Sequence, residues 1–147
     1  MENRWNGTDI GEKAMEYSKN GYHCAEAVAA AVLEGLDQDP SLAAAHATPF
    51  GGGFGRTFDE ACGALSGCLI VIGHLYGRRR PGGNWDAPAA MAKDIRNRFL
   101  ERYETTHCAT LRERFGPEQQ AAECARLVKH VTVDLVELLS SHQAESV

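Results

Sequence analysis

Apolar residues recur at helical spacing along most of this chain, and that recurrence limits the fold more than any other feature. Met91, Ile95, Phe99 and Tyr103 follow one another at intervals that place them on one face of a helix. A second apolar face, near the carboxyl end, consists of Ala121, Cys124, Val128, Val131, Leu135 and Leu138. No segment shows the alternation of a strand, and no internal repeat is present. The sequence therefore predicts an all-α fold, an irregular bundle of about six or seven helices.

Capping residues and glycine or proline breaks set the predicted ends of these helices. Thr8 is a candidate cap for the first helix, and Asn20-Gly21 tolerates the positive φ that ends one. Thr57 and Glu60 form a capping-box pattern, which predicts that a helix begins at Thr57. The predicted helices span residues 8–18, 23–36, 41–47, 57–76, 86–104, 108–114 and 118–140.

Residues 49–56, between the third and fourth predicted helices, contain four glycines in eight positions. A segment with so many glycines is too flexible for a helix, and the pattern predicts a structured loop. Bare N–H groups and the Arg56 charge are compatible with an anion site, but the loop has no Walker pattern and follows no strand. We favour a structural role, in which the loop passes closely against the cysteine helices. The candidate ligand contacts in this loop are Gly51, Gly52, Gly53, Gly55 and Arg56.

The composition restricts the class of protein. A chain of 147 residues with 44% hydrophobic content can bury one core, so we expect a single domain over residues 1–147. A formal net charge of −5 provides no general positive field for a nucleic-acid backbone. Nucleic acid is therefore not an expected partner.

The charge pattern also bears on location. Residues 1–23 carry charges throughout and contain no apolar signal-peptide core, which makes export by that route unexpected. The most apolar segment, residues 61–76, is shorter than the roughly 20 residues that a spanning helix needs. We therefore expect no membrane span and a cytoplasmic location. In a reducing cytosol, an odd count of five cysteines argues against a framework of structural disulfides.

Four of the five cysteines occupy positions that indicate a shared site. Cys24 and Cys62 lie in the first turns of predicted helices, where unpaired N–H groups favour a thiolate. Cys124 lies on the inward face of the last helix, and Cys108 lies on a short helical turn. Cys68 lies about 240° around the helix from Cys62 and is excluded from the site. The chain has no CxxC pair and no CxxCH motif, which argues against a zinc ribbon, a thioredoxin-like dithiol and covalent haem.

These cysteines and their neighbours resemble a known family, the redox-active proteins named for a C…CGAxxG…C…C pattern. The resemblance rests on HCAEAV around Cys24, FGGGFGR at residues 50–56, CGALSG at residues 62–67, and then Cys108 and Cys124, in the family's order. It implies an all-helical domain, redox activity from the four cysteines, and a bacterial or archaeal source, often near transporter genes. Some relatives are joined to multihaem cytochromes in which an iron-sulfur cluster is suspected. This chain lacks the haem motif, so the resemblance implies no cytochrome function.

Three functions remain open on the sequence alone. In the first, the protein is a thiol-dependent oxidoreductase in which Cys62 or Cys24 attacks a disulfide of a partner protein or small molecule. In the second, the four thiolates at Cys24, Cys62, Cys108 and Cys124 hold an iron-sulfur cluster or a thiophilic metal ion, with His23 or His107 as an additional ligand. In the third, the cysteines are inert and the glycine-rich loop makes the protein a binding module.

The glycines of CGALSG lead to one more expectation. Gly63 and Gly67 lie four positions apart and form a small-residue stripe, against which another helix can pack very closely. Proteins with such a stripe often self-associate. A homo-oligomer is therefore a further expectation.

Overall fold

The computed structural model describes residues 5–146, with side chains described for residues 5–143. Within that range the chain forms seven α-helices and no strand, which confirms the all-α prediction. The helices are α1 (Gly7–Lys19), α2 (Cys24–Gly35), α3 (Ser41–Ala47), α4 (Gly63–Tyr76), α5 (Asp86–Tyr103), α6 (Cys108–Phe115) and α7 (Gln120–Ser146). A 3-10 turn, Thr48–Phe50, joins α3 to the glycine-rich loop.

Helix α1 is capped by Asn6, and the prediction that Thr8 caps it was wrong. The Oδ1 atom of Asn6 accepts a hydrogen bond from the backbone N–H of Asp9 at 3.1 Å. Thr8 therefore lies inside the first turn. The predicted end is confirmed, because the helix stops before Asn20 and Gly21 follows with a φ of +119°.

Helix α4 begins at Gly63, so the prediction that it begins at Thr57 was also wrong. Thr57 does not form the predicted capping box. Its hydroxyl donates to the carbonyl of Gly53 at 2.6 Å and accepts from the N–H of Asp59 at 3.2 Å. Phe58 then has a φ of +62°, which a right-handed helix does not contain. Residues 57–61 are therefore loop, and Cys62 becomes the residue that precedes the helix.

Pairing with a distant segment explains why this loop is not helical. The N–H of Cys62 donates to the carbonyl of Thr106 at 2.7 Å, and the N–H of Cys108 donates to the carbonyl of Glu60 at 2.9 Å. The two segments thus form an isolated antiparallel bridge. Because its partners lie far apart in the chain, a local sequence pattern does not reveal it.

Helix α2 lies at the centre of the core. From Ala25 to Leu33 every residue except Glu26 is almost fully buried. The helix packs against α1, α3, α4 and α7. A helix covered on nearly all sides must be apolar all round, and the alanine-rich segment meets that requirement.

The glycine stripe of α4 lies against α2. A Cβ atom on Gly67 would lie 2.6 Å from the carbonyl oxygen of Ala25, so only glycine permits this approach. The expected close packing of a neighbouring helix is thus found inside the molecule. Because α2 covers the stripe, the stripe no longer supports a homo-oligomer, which stays a prediction.

Helix α7 is the longest helix and packs along α1. A Cβ atom on Gly11 would lie 3.1 Å from the carbonyl oxygen of Lys129, which shows how close the two helices are. The outer surface carries charge, as in the ion pair between Lys129 and Glu12 at 2.6 Å. None of the helices formed by residues 5–146 combines the length and apolar character needed to cross a bilayer.

Candidate functional site

Four cysteines line one cavity of about 860 Å³. Each comes from a different part of the fold: Cys24 from the first residue of α2, Cys62 from the residue before α4, Cys108 from the first residue of α6, and Cys124 from the first turns of α7. The end of α1 and the glycine-rich loop complete the wall. The cavity thus brings together all four predicted site residues, whose chemical role stays a prediction.

Cys68 lies outside this cavity. It is fully buried on α4 and does not line the cavity, and its exclusion from the site stays a prediction. All five cysteines are free thiols.

Cys24 lies next to the backbone that carries Cys62. Its Sγ atom packs against Gly63, where a Cβ atom would overlap the sulfur. After burial, a charge on Cys24 is among the causes that raise the pKa values of Cys62, Cys108 and Cys124. Cys24 is half-buried, whereas Cys62 is 8% exposed and Cys108 is 9% exposed. Cys24 is therefore both central to the group and more accessible than these two thiols.

Cys62 does not have the lowered pKa that its place at a helix N-terminus predicts. The backbone N–H groups of Ala64 and Leu65 do hydrogen-bond its sulfur and lower its pKa. Burial outweighs them and raises the pKa of Cys62 well above the ordinary thiol range, and the charge of Cys24 adds to that shift. Cys62 is therefore a protonated thiol at neutral pH.

The charge of Arg112 affects the pKa values of Cys108 and Cys124. Burial raises the pKa of Cys108, and it raises the pKa of Cys124 to about 11. The guanidinium of Arg112 opposes both shifts because a positive charge favours the thiolate. Arg112 stacks on Phe58, with its guanidinium carbon 4.0 Å from the ring centroid. The residue could have been found from the sequence, since it follows Cys108 by four positions on one helix.

The glycine-rich loop has an unusual backbone. Five consecutive residues, 52–56, have φ values between +61° and +68°. Three of them are glycines, which adopt this conformation freely, while Phe54 and Arg56 each carry a strain of roughly 1–2 kcal/mol. Gly53 packs directly behind Cys108, because a Cβ atom there would lie 2.8 Å from the Cβ of Cys108. This close approach is the structural role predicted for the loop.

The loop also contributes to the cavity surface. Of the five candidate ligand contacts, Gly51, Gly52, Gly55 and Arg56 line the cavity, and Gly53 does not. Sequence reasoning missed Lys19 at the end of α1, and it missed the aromatic wall formed by Phe58 and Phe115. No local signal marks these residues, because they reach the cavity only when distant elements pack together.

The two histidines that precede cysteines differ in position. His23 lines the cavity, and its backbone N–H donates to the carboxylate of Glu26 at 3.0 Å. His107 does not line the cavity, and its Nδ1 atom lies 2.8 Å from the hydroxyl of Thr110. In the part of the chain that the structure describes, no three histidine, cysteine, aspartate or glutamate side chains are grouped as metal ligands. The side chains as placed therefore do not fit a metal ion or cluster.

Comparison with known proteins agrees with the resemblance seen in the sequence. A family model described as "Putative redox-active protein (C_GCAxxG_C_C)" matches residues 22–138. The match includes the four cavity cysteines and the glycine-rich loop, and it leaves out α1 and the end of α7. No curated protein and no solved structure matches the chain.

Proposed function

The chain belongs to this family of redox-active proteins, and from that membership and the cavity we propose that it is a thiol-dependent oxidoreductase. Cys24 attacks a disulfide of a partner protein or a small molecule, and Cys62 resolves the mixed disulfide. A cytoplasmic location suits this role, because a reducing compartment returns the cysteines to thiols.

The observation that carries the proposal is the position of Cys24. Its sulfur packs against Gly63, the residue that directly follows Cys62. Cys24 is also the strongest influence on the pKa of Cys62 after burial. Both facts support Cys24 and Cys62 as the pair that forms a disulfide.

Burial separates the attacking thiol, Cys24, from the resolving thiol, Cys62. The raised pKa values of Cys62, Cys108 and Cys124 keep these three protonated and weakly nucleophilic at neutral pH. Cys24 is half-buried and therefore more accessible to a substrate disulfide than Cys62, which is 8% exposed. This contrast supports Cys24, rather than Cys62, as the thiolate that attacks first.

The proposed exchange conserves atoms and electrons. The Cys24 thiolate attacks one sulfur of the substrate disulfide, forming a mixed disulfide and releasing the other sulfur as a thiolate. Cys62 then loses its proton and attacks the Cys24 sulfur, which releases the second half of the substrate as a thiolate. The substrate gains two electrons, the protein loses two, and the thiol protons pass to the released thiolates or to water.

An iron-sulfur cluster or a thiophilic metal ion is the second hypothesis, because four thiols from four elements surround one cavity. The described ligand side chains are not grouped around a common point, however. Metal binding would require the thiols to move together and to lose protons that burial retains. The disulfide pair needs only two of them, and it is the better supported hypothesis.

The test is thiol mapping after limited oxidation. Reduced protein is treated with bis(2-hydroxyethyl) disulfide, quenched with acid, alkylated and mapped by mass spectrometry. We expect a disulfide between Cys24 and Cys62. Cys24→Ser should abolish it, and Cys62→Ser should accumulate the mixed disulfide on Cys24. Cys68→Ala is the matched control and should behave as the wild type, because Cys68 does not line the cavity.

Three results would count against the proposal. A wild-type protein that forms no disulfide with this neutral reagent or with the anionic 3,3′-dithiodipropionate would favour inert cysteines and a binding module. Rapid disulfide formation in Cys24→Ser would show that another thiol attacks first. Stoichiometric iron or zinc in anaerobically purified protein would instead favour the second hypothesis.

A further inference from the structure

All charged side chains that line the cavity, within the described part of the chain, are positive. Lys19 comes from the end of α1, Arg56 from the glycine-rich loop and Arg112 from α6. No described aspartate or glutamate lines the cavity. Acidic residues nevertheless outnumber lysine and arginine in the chain, 20 to 15. The positive lining is therefore local and does not follow from the composition.

These three cations are not neutralised by carboxylates. Among the side chains of residues 5–143, none of the three cations takes part in an ion pair. The lysine and arginine side chains that do are Arg98, Arg102, Arg126 and Lys129. A cation beside a cavity that has no counter-ion from its own chain is available to an anionic group of a ligand.

The cations and the thiols that line the cavity differ in their exposure to solvent. Lys19 and Arg56 are exposed, whereas Cys62 and Cys108 are buried. Arg112 is half-buried on the face of Phe58, which limits its freedom and leaves less entropy to be lost when it pairs with a ligand. The cavity therefore has sulfur in its interior and positive charge towards its opening.

The size and walls of the cavity favour a small molecule. Its volume of about 860 Å³ falls within the roughly 300–1,000 Å³ typical of small-molecule sites. Phe58, Leu111 and Phe115 provide apolar surface between the charges and the thiols. A compact ligand with a sulfur-bearing centre and charged ends matches these walls.

We infer that the cavity takes a small anionic disulfide, with its sulfur atoms directed at Cys24 and its carboxylates or phosphates paired with Lys19 and Arg56. This inference rests on the proposed thiol exchange and adds the class of its substrate. The disulfide is the oxidant, and it leaves as two anionic thiols. A neutral or cationic disulfide lacks the groups that these cations bind.

The test compares three disulfides of similar size and different charge: 3,3′-dithiodipropionate, bis(2-hydroxyethyl) disulfide and cystamine. The rate of oxidation of reduced protein is divided by the rate of the same disulfide with 2-mercaptoethanol, which removes intrinsic differences in reactivity. At low ionic strength we expect the anionic disulfide to exceed the cationic one by about tenfold. The ratio should fall towards one at about 1 M salt. The disulfide of pantetheine 4′-phosphate, run in parallel, distinguishes phosphate from carboxylate recognition.

Two double variants test whether the preference for an anionic disulfide arises at the cavity. The double substitution Lys19→Gln with Arg56→Gln should reduce the preference to about twofold or less. The control Arg79→Gln with Arg80→Gln removes the same charge from residues that do not line the cavity, and it should keep the preference. An equal rate for all three disulfides overturns the inference, as does an equal loss in both pairs, since that would reflect the field of the whole chain.

A second measurement separates failure of this inference from failure of the proposed function. NMR titration with the unreactive thioethers 3,3′-thiodipropionate and thiodiethanol reports binding without any exchange. We expect the anionic thioether alone to shift amide signals around Cys24 and Arg56. If no disulfide oxidises the protein, the proposed function fails and this titration still decides the charge preference. If oxidation occurs without charge preference and the anionic thioether does not bind, the function stands and the inference is overturned.

Discussion

Helix α4 connects two regions of the molecule with different packing. At its first residue, Gly63 lies against the sulfur of Cys24, and a side chain there would overlap it. Ten residues later, Gly73 is exposed, and a Cβ atom there would meet no heavy atom within 4 Å. One end of the helix is thus shaped around thiols, and the other follows ordinary helix preferences.

The same contrast extends beyond α4. In the bundle around α2, periodic apolar residues pack as their spacing predicts. Beside the cavity, residues 52–56 adopt positive φ, a predicted helix turn is loop, and thiols are buried with raised pKa values. Local preferences are overridden where the chain assembles its cysteines, which is the usual place for strain in a functional protein.

The largest loss of stability is expected from a substitution at Gly53. In Gly53→Ala the new Cβ would lie 2.8 Å from the Cβ of Cys108 and 2.8 Å from the Cα of Phe58, at a φ of +61°. Strain and overlap together should lower the free energy of unfolding by about 3–5 kcal/mol. Gly55→Ala is the matched control, because it has the same φ of +61° and open space around it, and should cost about 1–2 kcal/mol. Urea unfolding measures both, and equal losses would contradict the packing role of Gly53.

A smaller effect on stability is expected at Gly63 and Gly73, two of the three glycines of α4. Gly63→Ala should lower the free energy of unfolding by about 1–3 kcal/mol, because the Cys24 sulfur must move. Gly73→Ala should raise it by about 0.5–1 kcal/mol through helix propensity. The first variant should also slow disulfide formation, and the second should not. A stable Gly63→Ala protein with normal exchange would remove the distinction between the two ends of the helix.

Burial of Cys124 beside the cavity should be visible in the pH dependence of its alkylation. Its rate of reaction with iodoacetamide, followed by mass spectrometry, should rise with a midpoint near pH 11, whereas the unfolded chain should react with a midpoint near 8.5. Because the folded protein holds this proton more tightly, Cys124 contributes stability below about pH 8.5 that is lost as the pH rises to about 11.

Arg112→Gln provides the internal check on that profile. Removing the positive charge should move the Cys124 midpoint to higher pH, because Arg112 lowers the pKa of this thiol. Arg79→Gln should leave the midpoint where it is. A profile that is the same in the folded and unfolded proteins would show that burial does not control this thiol.

The smallest loss of stability is expected from substitution of the residue that caps α1. Asn6→Ala should cost about 1 kcal/mol in the free energy of unfolding, because the side chain of Asn6 accepts a hydrogen bond from Asp9. Thr8→Ala should change it by no more than about 0.5 kcal/mol. Thermal unfolding of both variants measures the difference. A larger loss for Thr8→Ala would restore the cap predicted from the sequence.

Features that depend on residues near one another in the chain were predicted correctly, whereas features that depend on contacts between distant segments were not. The limits of α3 and the end of α1 were predicted well, because capping and glycine signals act within a few residues. The start of α4 was predicted wrongly, because the backbone of Cys62 pairs with Thr106 and the capping pattern at Thr57 gives way to that contact. The thiolate predicted at Cys62 failed for a similar reason, since burial depends on what packs over the sulfur.

The helical fold, the family and the grouping of the four cysteines could be predicted without a structure, because periodicity and motif order are local or linear properties of the chain. Packing of the helices brings these thiols to one cavity, places Cys24 beside Gly63, and lines the same cavity with Lys19 and Arg112. The physical reason is that burial, proximity of charges and cavity shape arise between elements that are distant in the chain.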